Sequence, residues 1–281
     1  MTEREVRRWE IARSLGLVLA LAGAGCAGGS SDAGGGAVTL PPAHARFDYQ
    51  IGGAYAPAAD VEIVDRDWSD PPVAGKYNVC YVNAFQTQPE DFDFWTTQHP
   101  DLLLRKDGAW VVDEEWNELV LDVSTADKRE AILAVVGPWI DACARKGYDA
   151  VEPDNLNSWE RSQGLLTMQH DVAFATLLAA RAHSRGLAIA QKNTSEMLAH
   201  REEIGFDFAV VEECQPYGDC DDFARAYGDV WFEIEYPDNG GLPNFRDACD
   251  ARGATTTVIY RDRQVVPPSD GAYVYRTCDE V

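Results

Sequence analysis

From about residue 46 onward the chain repeats one pattern. Short runs rich in β-branched and aromatic residues end in acidic or amide residues. Between several of them lie segments whose apolar residues recur at helical spacing. The pattern predicts strands at "FDYQIGG" (Phe47–Gly53), "VEIVDRD" (Val61–Asp67), "YNVCYVNAF" (Tyr77–Phe85), "LVLDV" (Leu119–Val123) and "YDAVEPDN" (Tyr148–Asn155). Further strands are expected at "LAIAQKN" (Leu187–Asn193), "FDFAVVEEC" (Phe206–Cys214), "VWFEIEY" (Val230–Tyr236), "TTTVIYR" (Thr255–Arg261) and "AYVYRTC" (Ala272–Cys278). Thr167–Arg185 carries Val172, Ala175, Leu178, Ala179 and Ala182, then Gly186, which predicts an amphipathic helix with a glycine stop. "KREAILAVVGPWIDACARKG" predicts a second helix, with a kink expected at Gly137-Pro138. Strand and helix alternating to the end of the chain argue for an α/β domain over residues 46–281. At this length a single (β/α)8 TIM-type barrel leads. A doubly wound sheet comes second, because no GxGxxG or Walker-type loop follows the first strand.

The first 45 residues read differently. Arg4, Arg7, Arg8 and Arg13 precede an apolar run from Leu15 to Gly25, 11 residues long. That is too short to span a bilayer and suits a signal-peptide core, so residues 1–25 are read as an export signal. Cys26 follows directly, in the place of a lipoprotein acceptor, although Gly23 stands where a Leu is usual. Residues 26–45, rich in Gly, Ala, Ser and Pro, read as a flexible linker. The expected location is outside the cytoplasm, either as a cell-surface lipoprotein or secreted.

Charge narrows the partners. The 281 residues hold 24 Lys+Arg against 47 Asp+Glu, a net charge of −23. Residues 1–25 remove four Arg and three Glu, so the exported remainder stands at −24. Such a surface repels nucleic acid and anionic headgroups and attracts cationic ligands. Membrane contact is expected only through an anchor at Cys26, and the protein is expected to be a monomer. Six Cys follow Cys26, an even number that permits disulfides in an exported chain. "CQPYGDC" is expected to close a small loop between Cys214 and Cys220, with Cys249–Cys278 as a second pair. Its spacing is not that of a zinc site and no His lies near it, so neither a metal nor another cofactor is expected.

The strand ends carry the candidate chemistry. In a barrel, the active site forms at the C-terminal ends of the strands. Those ends supply Asp65, Asp67, Asn83, Gln86, Asp122, Glu152, Asp154, Asn155, Lys192, Asn193, Glu212, Glu213, Glu235 and Tyr236. Side chains alternate along a strand, so Glu152 and Asp154 point the same way. Paired carboxylates suit glycosidic cleavage, one as acid and the other as nucleophile or base. Trp159, Tyr217 and Tyr236 are candidate sugar-stacking faces. The alternative is a non-catalytic polysaccharide-binding lipoprotein on the same barrel, which the intact Asp154 and Glu212 disfavour. A metal-dependent hydrolase is disfavoured by the lack of His at ligand spacing and by Lys192 among the acids.

"KGYDAVEPDN", "AIAQKN", "FDFAVVEECQPYGDC" and "FEIEY", in this order, resemble glycoside hydrolase family 114. "FDYQIGG" and "VDRD" resemble that family's opening strands, with "FDYQIGG" in place of a Trp-rich strand. The resemblance covers residues 46–281. It implies a TIM-type barrel and endo-α-1,4-polygalactosaminidase activity on a galactosamine-containing polymer, cationic where deacetylated. The catalytic acids it implies are Asp154 in EPDN and Glu212 in EEC, with the adjacent Glu213 left open. Asp154 is expected to be nucleophile or base. Glu212 is expected to be the general acid, its pKa raised by neighbouring carboxylates and burial. Glu152 would hold Lys192 or a substrate amine, and Asn155 would orient Asp154 or a sugar hydroxyl. Asp65, Asp67, Asp122, Asn193, Glu213, Glu235 and Tyr236 complete the expected substrate-binding set. A retaining and an inverting outcome both remain open.

Overall fold

The computed structural model describes residues 38–280, so the signal segment, Cys26 and most of the linker lie outside the described residues. The fold is mixed α/β, built on a curled nine-stranded sheet. Eight strands run parallel in chain order: β1 Phe47–Tyr49, β2 Ile63–Asp67, β3 Tyr77–Asn83, β4 Ala150–Asp154, β5 Ala188–Lys192, β6 Phe208–Glu212, β7 Trp231–Glu235 and β8 Thr257–Arg261. The ninth, β9 Tyr275–Thr277, pairs antiparallel with β8. The curl brings β1 beside β8. Thr257 Oγ1 donates to the Ala45 carbonyl at 2.8 Å, and Phe47 stacks on Phe232 with centroids 4.8 Å apart. Gly52, just after β1, meets the loop after β8 so closely that a Cβ there would lie 2.2 Å from the Gln264 carbonyl oxygen.

The two-residue period of a strand sorts each side chain to the inside or the outside of the curl. Inside lie Phe47, Tyr49, Val79, Ala150, Ala188, Ala190, Phe208, Val210, Phe232 and Ile234. The small Ala150, Ala188 and Ala190 leave room for the three Phe rings. Outside lie Cys80, Val82, Val151, Ile189, Ala209, Val211 and Trp231, packed against the helices. The main helices there are α2 (Ala126–Lys146), α4 (Met168–His183) and α7 (Cys220–Tyr227); shorter ones are α1 (Phe92–Gln98), α3 (Ser158–Arg161), α5 (Arg201–Ile204) and α6 (Cys214–Tyr217), and α8 (Gly241–Arg252) precedes β8. Helix α2 starts where the Thr125 side chain accepts from the Lys128 N–H and stops at Gly147, whose φ is 92°. It runs through Pro138 and buries Ile132, Val136, Ile140 and Cys143. Helix α4 opens with a reciprocal Thr167–His170 cap.

Two expectations change at the start of the domain. Among the described residues no helix separates β1 from β2 or β2 from β3. "LVLDV" is not a strand of the main sheet. Glu118–Leu119 pairs only with Val112–Asp113, and Val120 and Leu121 make isolated bridges to Gln86 and Leu103. The apolar run is buried, but inside the long β3–α2 connection, where it has no parallel neighbour.

Among the described residues three disulfides are present: Cys214–Cys220, Cys249–Cys278 and Cys80–Cys143. The first two match the expected pairs; the third ties β3 to α2. Loop-closure entropy ranks them by the chain they enclose, 6 residues for Cys214–Cys220 and 63 for Cys80–Cys143. By that argument they are worth about 2 and about 4 kcal/mol. Thermal melts of the paired Cys→Ser variants should show the larger drop for Cys80/Cys143; equal drops would contradict the ranking.

Candidate active site

Following the inner columns of the sheet to their C-terminal ends leads to one place. Beyond the apolar layers stand Tyr81 near the end of β3, Glu152 and Asp154 on β4, Lys192 at the end of β5, Glu212 at the end of β6 and Tyr236 just after β7. Each continues the inward alternation of the residues beneath it. The ladder registers set Tyr81 beside Glu152 and Asn83 beside Asp154.

Lys192 is the hub. It is 2% exposed. Its Nζ donates to Glu152 Oε1 and to the Tyr49 hydroxyl, both at 2.7 Å. It also lies 3.3 Å from Glu212 Oε2 and 3.6 Å from Asp154 Oδ1. Those two oxygens are therefore within about 7 Å of each other, the sum of the two distances. Burial disfavours the ammonium, but Asp154, Glu152 and Glu212 outweigh it and hold the Lys192 pKa well above the ordinary lysine value.

The two candidate catalytic acids are held differently. Asp154 Oδ2 accepts from the Tyr81 hydroxyl (2.8 Å) and Oδ1 from the Asn155 backbone N–H (2.7 Å). Glu212 Oε2 accepts from Asn193 Nδ2 (3.0 Å), and Oε1 accepts from the Tyr236 hydroxyl. Burial alone would raise the Glu212 pKa, but Lys192, Tyr236 and Asn193 stabilise the anion and hold it below the usual carboxylate range. The expected upward shift is thus reversed, because the neighbouring acids share the cation that reaches Glu212.

Three neighbouring strands leave the site through a left-handed residue: Asn155 (φ 64°), Asn193 (φ 49°) and Glu213 (φ 60°). Asn tolerates this conformation better than most residues. The turn lets both Asn side chains fold back onto the site. Asn155 Nδ2 donates to Asn83 Oδ1 (3.1 Å) and Glu118 Oε2 (3.2 Å). Asn193 Oδ1 accepts from the Glu212 N–H (2.7 Å). Glu213 turns away from Lys192 and takes a two-pronged contact from Arg263, whose Nη1 lies 2.8 Å from Oε2 and whose Nη2 lies 2.5 Å from Oε1.

Beneath the site, Glu152 and Asp65 are fully buried. Glu152 Oε1 also accepts from the Tyr49 hydroxyl (2.9 Å), whereas Glu152 Oε2 and both Asp65 oxygens lack an assigned partner among the described residues. Burial, then the Glu152 charge, pushes the Asp65 carboxyl well above the usual range. Of the two roles expected for Glu152, holding Lys192 is the one its geometry meets.

Above the site is a cavity of ≈ 250 Å³ lined by Asp154, Asn155, Lys192, Asn193 and Glu212 together with Tyr81, Trp116, Glu118 and Arg263. A second cavity of ≈ 560 Å³ shares Trp116, Asn193, Glu212 and Arg263 with it and adds Glu213 and Tyr217. The two form a continuous groove with Trp116 and Tyr217 exposed.

Several expected residues lie elsewhere. Glu235 shares the outward alternation of Trp231 and Glu233. It is buried outside the curl, accepts from the Gln215 N–H (3.1 Å), and is pushed up to about 8 by burial and Glu233. Asp67 accepts from the Ser69 N–H (2.8 Å) and Gln88 Nε2 (3.2 Å), as a turn cap. Asp122 accepts from the Ser124 N–H (3.2 Å), and it lines a separate cavity with Leu103 and Lys128. Trp159 packs against the outer core. Tyr236 is buried beneath Arg263 at 4.2 Å, so its hydroxyl orients Glu212 while its ring offers no stacking face. Glu118 and Trp116 were not anticipated. They stand in the β3–α2 connection, where no strand pattern points to them.

A family model described as glycoside-hydrolase family GH114 matches residues 29–281. Among solved structures, Aspergillus fumigatus Ega3, in complex with galactosamine, is similar with a TM-score of 0.66 and 24% identity. It is matched over 82% of this chain and 98% of that one. The glycoside hydrolase domain of PelA from Pseudomonas aeruginosa is similar with a TM-score of 0.58 and 16% identity, over 82% of this chain and 97% of that one. At these identities the likeness is one of fold. No curated protein matches the sequence.

Proposed function

Because the chain belongs to glycoside hydrolase family GH114, we propose that it is an endo-acting hydrolase cleaving α-1,4-linked galactosamine-containing polysaccharide. The observation that carries the reading is the placing of Asp154 and Glu212 on either side of Lys192 at the floor of an open groove. The eight parallel strands then close as a TIM-type barrel whose first two connections carry no helix among the described residues, with the site at its C-terminal mouth. An open groove with exposed Trp116 and Tyr217 suits internal cleavage of a long chain, with sugar faces stacked on the rings.

Asp154 attacks the anomeric carbon or activates water, and Glu212 protonates the leaving oxygen. Lys192 places its ammonium 3.6 Å from Asp154 Oδ1, beside the reacting carboxylate. If Asp154 is the nucleophile, its charge is consumed in the glycosyl ester. Lys192 then stabilises the Glu212 anion more strongly, which suits Glu212 to act as base in the second step. Glu213, engaged by Arg263, is positioned to shape the groove rather than to donate the proton. Incubating the purified domain with partly deacetylated galactosaminogalactan, followed by mass spectrometry of the products, tests the reading. Release of a ladder of short oligosaccharides supports it, and binding without cleavage would make the protein a polysaccharide-binding module.

Export fits the same reading. Three disulfides favour an oxidising compartment. No helix among the described residues is long and apolar enough to cross a membrane. Attachment through Cys26 would tether a monomeric enzyme at the cell surface. The net charge of −23 gives a further expectation. If it steers a cationic polymer, kcat/KM falls as salt rises, since screening shortens the field to ~8 Å at physiological ionic strength. A flat salt response would reduce the acidity to a matter of solubility.

A further inference from the structure

Of the three carboxylates that line the ≈ 250 Å³ cavity, Glu118 is the one the proposed reaction leaves unused. It lines the ≈ 250 Å³ cavity together with Asp154 and is 8% exposed. One of its oxygens is fully engaged. Oε2 accepts from Asn83 Nδ2 (3.0 Å) and Asn155 Nδ2 (3.2 Å). The other oxygen, Oε1, has no partner among the described residues, nor does any Lys or Arg there pair with Glu118. The charged groups around it explain why. Asp113, which faces it across the short ladder, already pairs with Arg161. Lys192 pairs with Glu152, Asp154 and Glu212. Asp154 and the Tyr81 hydroxyl complete the surroundings, and neither supplies a positive charge. A carboxylate anchored by two amides, open on one side to a sugar-sized cavity and lacking a cation, matches a ligand ammonium.

We propose that Glu118 is the specificity-determining residue that receives the protonated 2-amino group of a galactosamine unit, so that the enzyme selects deacetylated over N-acetylated residues. The inference rests on the amino-sugar reading above and adds to it the atom that reads the amine. Burial, then the charges of Asp154 and Asp113, push the free Glu118 carboxyl up to about 8 against the opposing bonds from Asn83 and Asn155. In mildly acidic solution the empty site therefore holds a proton. A sugar ammonium arriving at Oε1 displaces it: the carboxylic O–H breaks, the proton leaves to buffer, and an ammonium–carboxylate pair forms. An N-acetyl group carries no charge and cannot drive that exchange.

Calorimetry on the full exported domain at about pH 6, where a sugar amine is protonated, tests this in buffers of different ionisation enthalpy. Galactosamine is expected to release up to one proton on binding the wild-type protein, and N-acetylgalactosamine none. In Glu118→Gln the release should vanish and galactosamine affinity fall roughly 10- to 100-fold, the cost of losing a hydrogen bond to a charged group. N-acetylgalactosamine affinity should shift by much less. Galactosamine binding without proton release, no galactosamine binding at all, or equal release in Glu118→Gln would overturn the assignment. The wild-type proton count stands even if the variant fails to fold. Hydrolysis of the polymer is read separately, so an active enzyme without proton linkage refutes this inference and leaves the reaction intact.

Discussion

Asp154→Asn and Glu212→Gln are each expected to lower turnover by at least about 10²–10⁴-fold, the usual worth of acid–base assistance alone, while the protein stays folded. Both side chains are only partly buried and both substitutions are isosteric. In Asp154→Asn the one remaining oxygen can accept from the Asn155 N–H while the new amide donates to the Tyr81 hydroxyl, and in Glu212→Gln the oxygen can still accept from the Tyr236 hydroxyl. Glu213→Gln should cost far less, because Glu213 is engaged by Arg263 and not by Lys192. The pH profile carries a second signature. Glu212 must be protonated to act as acid, and Lys192 holds its pKa below the usual range. The fraction of competent free enzyme therefore declines as pH rises, and kcat/KM should favour acid. Near-normal turnover in Asp154→Asn would remove the reaction centre from this place. A dead Glu213→Gln beside an active Glu212→Gln would move the acid by one residue and reverse the inward face of β6.

Lys192→Met should be the most destabilising single change in the site, by about 3–5 kcal/mol, because it leaves buried carboxylates without their shared cation. That is a large share of a typical stability of about 5–15 kcal/mol. The pH dependence distinguishes this cause from lost packing. In the wild-type protein the folded pKa of Lys192 is raised, so its contribution is fully present below the ordinary lysine value and fades only in strong alkali. The folded pKa of Glu212 is lowered, so its contribution is present above the unfolded carboxylate value and is lost on acidification. Without Lys192 burial is left to push the Glu212 carboxyl upward, and its sign inverts. The variant should then lose stability as pH rises from acid to neutral. Urea melts across that range test this, and a pH-independent deficit would point to packing alone.

What could be read from the chain was what strand alternation carries. Glu152 and Asp154, two residues apart, reach the same cation, and Lys192 and Glu212 stand at the matching ends of the next strands. The same rule misplaced Glu235. In "WFEIEY" both alternations offer a large aromatic near the start, Trp231 or Phe232, so nothing local says which set faces inward. The answer comes from packing: Phe232 stacks on Phe47, while Trp231 meets Phe223 of α7. Asp122 was misread for a related reason, since a buried apolar run resembles a strand whether or not the sheet has a place for it. Glu118 was invisible because its position depends on the folding of a long connection with no periodic signal. The Glu212 shift escaped because counting acids ignores the one ammonium they share.

The Cys80–Cys143 bond has a consequence for the far side of the groove. It ties the middle of β3 to α2 and so turns the intervening chain, with Trp116 and Glu118 on it, into a covalent ring. A single protease cut anywhere in that ring opens a chain end without releasing a fragment. The protein can thus be nicked there and still keep both edges of its groove on one molecule.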